Sequence, residues 1–337
     1  MCEKKDLIHL SGEGLLLHHW DTDGICSARL ILEFLHDKTI TNVTPELGNY
    51  FLTEAELTCY SKYDFLIIVD MALPEENILR LSKTIPQIFI FDHHLQNIIP
   101  AVHHYNPISH GKNPDLYPST SWIVNEFLKQ EVTLWALLGV VGDHEQKILS
   151  NNAMYPRIEQ YCSSYGISFD TMLRMVYLLD SCYKIGDKKQ VEEAPRRLLY
   201  YTNGDMILQN SQWKKNLIKL DEEISLCLRQ PQEIIKDVVV KKIDTTYNII
   251  STITRKIAWQ SGKNTLVINT GFFKDMDQIY VRSHKNVEPL IQLGKKYGFK
   301  TGGKAEVLGA IVPKEKTHLF VEKIIDFLTD TGCEVNR

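Results

Sequence analysis

The sequence LLLHHWDTDG, residues 15–24, decides how the N-terminal part of the chain folds. Its three leucines predict the end of a buried strand, after which His19, Asp21 and Asp23 stand at alternate positions. Carboxylates are poor strand formers and are costly to bury without partners. Two aspartates and a histidine at a strand end therefore indicate either a capped turn or part of a metal site. Further ligands of the same kind downstream would favour the metal site.

Short apolar runs alternate with helical patterns through the first part of the chain. Strands are predicted at Gly14–His19, Phe65–Asp70 and Gln87–Phe91. Helices are predicted at Ser27–His36, Pro74–Lys83, Ser119–Lys129 and Leu134–Val141, and residues 151–200 carry helical periodicity without strands. Alternation of this kind, with nearly continuous apolar strands, predicts an α/β fold whose mostly parallel sheet is covered on both faces.

The pattern changes after an amphipathic helix predicted at Met206–Arg229, which we interpret as a linker. Beyond it, apolar residues recur with period 2, and strands are predicted in IIKDVVVKKI, YNIISTIT, TLVINTGF and DQIYVRS. Helices at Val287–Tyr297 and Thr317–Thr329 complete a smaller α/β domain. The predicted organisation is a first domain at 1–205, a linker helix within 206–232 and a second domain at 233–337.

Composition excludes several classes of protein. No apolar run of the 337 residues approaches the ~20 residues of a membrane span, and the start MCEKKDLIHL lacks the apolar region of a signal peptide. The seven cysteines are scattered and form no CxxC pair. We therefore expect a cytoplasmic protein with reduced thiols, without a membrane, a zinc knuckle or a disulfide framework.

Charge is distributed unevenly along the chain. Residues 1–232 hold 21 Lys+Arg and 30 Asp+Glu, a net charge of −9, whereas residues 233–337 hold 17 and 12, a net charge of +5. An acidic part followed by a basic part suggests a cation site in the first and a polyanion bound by the second. The alternative is that the second part is only mildly basic.

Further acidic and imidazole groups follow the predicted strands and one apolar helix. Asp70 ends FLIIVD, Asp92-His93-His94 ends IFIFDHH, and Asp143 follows LLGVVG. A single aspartate at such a position is often a helix cap. A set that gathers beyond the carboxyl ends of several strands is better explained by a shared site. Oxygen and nitrogen ligands without cysteine suit Mn²⁺ or Mg²⁺ better than structural zinc.

These motifs resemble motifs I to IV of the DHH phosphoesterase superfamily in sequence, order and spacing. The matching segments are HWDTDG at 19–24, VDM at 69–71, FDHH at 91–94 and GVVGD at 139–143, with Asn106-Pro107 and Ser119-Thr120-Ser121 as further similarities. Residues 233–337 look like the DHH-associated C-terminal domain, since YVRS at 280–283 and KTGGKAEVLGA at 300–310 are similar to its substrate-binding strand and glycine loop.

The resemblance implies a centre with two divalent metal ions, for which Mn²⁺ is preferred and Mg²⁺ is possible. One ion would be held by His19, Asp21 and Asp70, and the other by Asp23, Asp70, His93 and Asp143. Asp70 would bridge the ions, Asp92 would orient a histidine, and His94 would face the phosphoryl group. Two such ions activate a water molecule for attack on phosphorus and neutralise the developing charge.

The resemblance also assigns substrate-binding residues to the second domain. Arg282 is the candidate phosphate clamp, with an ordinary strand arginine as the alternative. Ser283, Gly302, Gly303 and Lys304 match the adjoining strand and loop. Lys304 is a departure, because the family loop usually reads Gly-Gly-Gly-His, and a lysine lacks the planar donor of an imidazole. Tyr280, Phe272 and Phe273 are candidates for stacking on bases or for core packing.

The implied function is that of a RecJ-like exonuclease of the archaeal type, which releases mononucleotides from single-stranded DNA or RNA. A replication or repair protein is a plausible partner. The runner-up is a small-substrate phosphoesterase: an oligoribonuclease, a nucleoside bisphosphate phosphatase or a cyclic-dinucleotide hydrolase. A third hypothesis is a scaffold that binds GINS-type replication partners. Cleavage polarity, RNA or DNA preference and oligomeric state are open at this stage.

Overall fold

A computed structural model describes residues 4–330, and of Lys304 only the backbone. The described residues form two compact units. The first contains residues up to Tyr183 together with Asp187–Leu217, and the second contains Lys184–Gly186 together with the residues from Ile218 onward. Across residues 4–330, no helix combines the length and apolar character that crossing a bilayer demands. The five cysteines in this range are free thiols, whereas Cys2 and Cys333 lie outside the described residues.

The first unit is built on a parallel sheet. Its strands are β1 (Glu13–His18), β2 (Thr39–Val43), β3 (Phe65–Val69), β4 (Gln87–Phe91) and β5 (His103–Tyr105), in the spatial order β2-β1-β3-β4-β5. Every neighbouring pair is parallel. The strand order therefore changes direction between β1 and β3, which is the point where α/β sheets bind ligands.

Burial explains which of these strands the sequence reveals. Every residue of β3 is buried, as are Leu15, Leu16 and Leu17 of β1, so the central strands read as continuous apolar runs. The strands β2 and β5 lie at the two edges, and their partly exposed, polar sequences TITNV and HHY carry no such run. The predicted parallel sheet is confirmed, with these two edge strands added.

Helices cover this sheet and continue beyond it. They are α1 (Lys4–Ile8), α2 (Thr22–Phe34), α3 (Glu54–Tyr60), α4 (Glu75–Leu81), α5 (Thr120–Phe127), α6 (Leu134–His144), α7 (Tyr155–Tyr165), α8 (Phe169–Lys184), α9 (Lys188–Leu199), α10 (Asp205–Gln209) and α11 (Ser211–Arg229). Helix α6 is apolar on all sides because it packs against both α2 and α5. This packing brings its last turn, which contains Asp143, beside the start of α2.

The second unit has a mixed sheet with helices on both faces. Its strands are β6 (Glu233–Ile235), β7 (Val238–Ile243), β8 (Thr265–Asn269), β9 (Met276–Arg282), β10 (Lys300–Lys304) and β11 (Val307–Pro313), in the spatial order β10-β11-β9-β8-β7-β6. Its helices are α12 (Ile250–Ser261), α13 (Glu288–Lys296) and α14 (Thr317–Thr329). Ile279 and Val281 of β9 pack with α13 and α14, whereas Tyr280 between them packs with α12.

Three local predictions are wrong. The segment YNIISTIT is not a strand: Ile250, Ile253 and Ile257 are buried at helical spacing along α12. The helix predicted at Met206–Arg229 is interrupted at Asn210, whose side chain accepts hydrogen bonds from the backbone N–H groups of Gln212 and Trp213 and so starts a new helix. KTGGK is the edge strand β10, not a loop.

The predicted domain limits 1–205, 206–232 and 233–337 remain a proposal, since the two units divide inside α11.

Candidate metal centre

The candidate ligands of the first unit gather at the carboxyl edge of its sheet, where the strand order reverses. His19, Asp70 and Asp92 directly follow β1, β3 and β4. Each is fixed through its backbone to the next strand: His19 N donates to Val69 O (3.2 Å), Asp70 N to Phe91 O (3.0 Å) and Asp92 N to Tyr105 O (3.3 Å). The parallel pairing of neighbouring strands thus aligns the groups that follow them.

Two sets of side chains meet around Asp70. His19, Asp21 and Asp70 form one set and Asp23, His93 and Asp143 form the other, and within each set one donor atom per residue lies within 4.8 Å of the others. Asp70 Oδ2 lies 3.6 Å from His19 Nδ1, whereas Asp70 Oδ1 lies 3.6 Å from His93 Nε2. Asp70 therefore presents one oxygen atom to each set, which is the arrangement of a bridging carboxylate.

The backbone of Asp70 is strained. Its φ of 61° lies in the left-handed region, which residues other than glycine rarely adopt. Conformations of this kind cost about 1–3 kcal/mol and cluster at functional sites. This backbone conformation accompanies the entry of the Asp70 side chain into the site immediately after the buried strand β3. Only 2% of the residue is exposed.

Asp23 is held by the N-terminus of a helix. Its Oδ2 accepts a hydrogen bond from Thr120 N (2.7 Å) and its Oδ1 accepts one from Ser121 N (2.8 Å), both in the first turn of α5. Gly139 of α6 makes this arrangement possible. A Cβ atom at Gly139 would lie 2.0 Å from Ser121 Oγ and 2.2 Å from Asp23 Oδ1, so the close approach of α6 requires glycine here.

Negative charge accumulates in the site. Burial and the carboxylates of Asp23, Asp21 and Asp143 raise the pKa of Asp70 well above its usual value. Burial and Asp143 also raise the pKa of Asp23, to about 6. Burial lowers the pKa of His93, but the nearby carboxylates, Asp143 foremost, outweigh this effect and raise it to about 9. Buried carboxylates this close together require compensating positive charge.

Metal ions fit this donor set. His19 Nδ1 lies 2.8 Å from Asp21 Oδ2 and His93 Nε2 lies 2.9 Å from Asp143 Oδ2, yet both buried nitrogens lack hydrogen-bond geometry to any partner. Ring nitrogens and carboxylate oxygens that converge at such short distances suit a shared cation. Imidazole and carboxylate together suit Mn²⁺, and Mg²⁺ is compatible with the carboxylates.

His94 forms a third group with Asp70 and His93, since its Nδ1 lies 4.0 Å from Asp70 Oδ1, and Asp92 lies beside this group. Asp92 is fully buried, and its Oδ1 accepts hydrogen bonds from His94 Nδ1 (2.7 Å) and from the backbone N–H groups of His93 and His94. Asn106 Nδ2 donates to His94 O (2.7 Å) and fixes the same loop. The imidazole of His94 is 39% exposed. Asp92 thus orients a half-exposed histidine whose Nε2 remains for a ligand.

Sequence reasoning missed one residue that positions the first motif. Asp180 of α8 is buried, and its Oδ1 accepts hydrogen bonds from Thr22 N (3.0 Å) and Thr22 Oγ1 (2.7 Å), which hold the turn between Asp21 and Asp23. A single acidic residue within the apolar run MVYLLDSC was the available signal. His18, in contrast, faces away from both sets: burial lowers its pKa to about 4, and its Nδ1 lies 2.6 Å from His19 O.

Thr120→Val should reduce the turnover of a phosphodiester substrate by about 10-fold, the lower end of what loss of a ligand-orienting hydrogen bond costs. Thr120 Oγ1 donates to Asp70 Oδ1 (3.0 Å), and valine keeps the side-chain volume while removing that donor. Initial rates at saturating Mn²⁺ measure the effect. The matched control is Thr329→Val, which removes a hydroxyl that donates to Ile325 O in α14. Equal rates in both variants would show that Thr120 does not orient Asp70.

The candidate substrate residues of the second unit lie at one end of its sheet. Across neighbouring strands, Arg282 pairs with Val307, which pairs in turn with Lys304. Gly302 and Gly303 belong to the same edge strand, and the side chain of Lys304 is outside what the structure describes. Arg282 Nε is buried without a hydrogen-bond partner, whereas Ser283 is buried and its Oγ accepts from Lys285 N (2.9 Å).

Comparison with known proteins finds a family model and solved structures that match this chain. Residues 15–151 match the model of the DHH family, N-terminal domain. The Mn²⁺ complex of RecJ from Thermus thermophilus has a TM-score of 0.71 at 13% identity, over 96% of this chain and 53% of that one. This chain therefore spans about half the length of that RecJ. No curated protein matches.

Two further solved structures have the same fold. A manganese-bound exonuclease RecJ has a TM-score of 0.66 at 12% identity, over 95% of this chain and 90% of that one. CDC45 from Entamoeba histolytica has a TM-score of 0.53 at 10% identity, over 94% of this chain and 95% of that one. Identities this low establish the fold alone.

Proposed function

We propose that this chain, whose residues 15–151 match the model of the DHH family, is a metal-dependent phosphodiesterase that releases mononucleotides from single-stranded DNA or RNA. The observation that carries the proposal is the position of Asp70, whose two oxygen atoms face two separate sets of histidine and aspartate ligands. The manganese-bound RecJ exonucleases that share the fold support the choice of reaction and metal.

The ligand sets define which residues would hold the ions. His19, Asp21 and Asp70 would hold one ion. The other would be held by Asp23, His93 and Asp143 together with Asp70. When bound, divalent cations stabilise charge on a phosphoryl oxygen and lower the pKa of water. The neighbouring groups keep the ligands in place: α5 fixes Asp23, and Thr120 fixes Asp70.

His94 is the group proposed to act on the substrate. Burial raises the pKa of Asp92, but the nearby His94 outweighs it and lowers the pKa overall, so this aspartate stays ionised and holds His94 Nδ1. In its imidazolium form, His94 donates Nδ1–H to Asp92, and its Nε2–H can donate to a non-bridging phosphoryl oxygen or protonate the leaving oxygen. The half-exposed ring is the only one of the three motif histidines, His19, His93 and His94, with a large solvent-facing fraction.

A nucleic-acid substrate is proposed on charge and on the candidate phosphate contact. Residues 233–337 carry a net charge of +5, and Arg282 keeps a buried Nε without a hydrogen-bond partner. An arginine with an unused donor suits a phosphate oxygen. Arg282, Ser283, Gly302, Gly303 and Lys304 are proposed to contact the strand. A replication or repair protein is proposed as a partner because the fold is shared with CDC45.

The direct test is digestion of end-labelled DNA and RNA strands of about 20 nucleotides by the full chain, with Mn²⁺, Mg²⁺ or EDTA. We expect mononucleotides released from one end with Mn²⁺ and no product with EDTA. Labelling each end in turn gives the polarity. Faster cleavage of dinucleotides than of long strands would instead support the small-substrate phosphoesterase. No cleavage of any phosphodiester, together with binding to a GINS-type protein, would support the scaffold.

A further inference from the structure

One tryptophan of the chain lies on the surface of the second unit. Trp259 of α12 is 59% exposed, whereas the other four tryptophans are at most 6% exposed (Trp20, Trp122, Trp135 and Trp213). The core face of α12 is formed by Ile250, Ile253 and Ile257, so packing of this helix does not use Trp259. The guanidinium carbon of Arg255, one turn earlier, lies 5.4 Å from the centroid of the Trp259 ring.

The helix that carries this tryptophan is cationic. Within α12, the charged residues are Arg255 and Lys256, and its sequence contains no aspartate or glutamate. Arg282 follows Tyr280 by two positions in β9, so its side chain emerges on the same side of the sheet as Tyr280, the side that packs with α12. An exposed indole beside an arginine is complementary to a partner that combines aromatic rings with negative charge.

Two glycines lie side by side in the sheet next to α12. Gly302 pairs with Gly309, which pairs with Tyr280. A Cβ atom at Gly309 would lie 3.8 Å from the ring of Tyr280. A side chain at this position would therefore project from the same face of the sheet as Tyr280, the face that packs with α12. A Cβ atom at Gly302 would meet nothing within 4 Å. The backbone at Gly302 is therefore open to close approach from outside.

We propose that Trp259 and Arg255 form a stacking site for one base of a single-stranded nucleic acid, on the same surface as Arg282. The inference rests on the proposed function and identifies a base contact that the DHH motifs do not assign. The indole stacks on a base of any sequence, and the guanidinium of Arg255 contacts the adjoining phosphate. Tyr280, a candidate for stacking in the sequence, instead packs against the core beneath α12.

The experiment follows tryptophan fluorescence of the full chain during titration with an oligothymidylate of about 15 nucleotides in EDTA, where no turnover occurs. We expect the oligonucleotide to quench Trp259 and to protect it from acrylamide. Trp259→Ala should weaken binding by about 10-fold, within the range measured for loss of base–aromatic stacking, and Trp259→Phe should restore most of it. The matched control is Leu319→Ala, which removes an exposed apolar side chain from α14.

Equal affinities of the wild type and Trp259→Ala, or unchanged Trp259 fluorescence in the complex, would overturn the proposal and leave this surface to a protein partner. Circular dichroism of each variant verifies folding. Hydrolysis of the same strand by the wild type with Mn²⁺ is measured in parallel. Absence of hydrolysis would contradict the proposed function, whereas intact hydrolysis with equal affinities would contradict the stacking site alone.

Discussion

Asp70→Asn should lower the rate of phosphodiester hydrolysis by about 10³-fold or more, because bound cations contribute several kcal/mol to the transition state and each 1.4 kcal/mol is about tenfold. Asparagine has a similar volume and tolerates the left-handed backbone of residue 70 better than most residues. It lacks the charge and the second acidic oxygen atom with which Asp70 faces both ligand sets. Initial rates at a series of Mn²⁺ concentrations measure the loss.

The matched control for this variant is Asp64→Asn, because Asp64 precedes the same strand at its opposite end. Its Oδ2 accepts a hydrogen bond from Glu13 N (2.7 Å) and takes no part in the ligand sets. We expect Asp64→Asn to retain wild-type rates. Affinity for single-stranded DNA in EDTA should be unchanged in Asp70→Asn, since the proposed binding residues belong to the second unit. Hydrolysis at more than a tenth of the wild-type rate would rule out a bridging role for Asp70.

Gly139→Ala is expected to have the second largest effect. The new methyl group would overlap Asp23 Oδ1 and Ser121 Oγ, so α6 must shift or Asp23 must leave its position. Overpacking of this kind costs about 1–3 kcal/mol of stability. Displacement of a reacting group by about 1 Å can cost about 100-fold in rate, and we expect a loss of that size. Thermal unfolding and initial rates of hydrolysis measure the two effects.

Gly142→Ala in the same helix provides the comparison. Its Cβ atom would lie 3.1 Å from Thr22 Cβ, which a shift of a few tenths of an ångström in α6 relieves, a much smaller movement than the 2.0 and 2.2 Å contacts at Gly139 require. Both substitutions replace glycine by alanine in a helix and should stabilise that helix equally, by about 1 kcal/mol. This contribution therefore cancels when the two variants are compared. We expect Gly142→Ala to keep most of the activity. If both variants lose activity equally, helix geometry in general, and not the contact with Asp23, determines the effect.

The central strands and the groups that follow them are readable from the sequence for a physical reason. Buried parallel strands such as β3 must be continuously apolar, so a charged residue directly after one marks the sheet edge. Because neighbouring parallel strands end together, Asp70 and Asp92 had to come close once β3 and β4 were adjacent. The α/β fold and the clustering of histidines and aspartates are therefore consequences of strand order.

Other features depend on contacts that periodicity does not encode. The sequence YNIISTIT is rich in β-branched residues, which favours a strand, whereas the helical spacing of Ile250, Ile253 and Ile257 appears only when the sequence is followed beyond it. The edge strand β10 is rich in glycine and lysine, and its pairing with β11 defines it. Both features are local sequence preferences overridden by tertiary structure.

The positioning of the metal ligands was the least predictable part. Asp23 is fixed by backbone N–H groups of Thr120 and Ser121, about a hundred positions away in the chain, and Thr22 is fixed by Asp180. Backbone donors carry no residue signature. The surroundings that orient a ligand are therefore visible only once the helices α5 and α8 have been placed on the sheet.

The most direct test of the metal centre is a crystal structure of the full chain grown with Mn²⁺, with anomalous scattering recorded at the manganese edge. The account predicts two peaks, one among His19, Asp21 and Asp70 and the other among Asp23, His93 and Asp143, with Asp70 contacting both. A single peak, or manganese bound only elsewhere while these side chains keep their present positions, would contradict it.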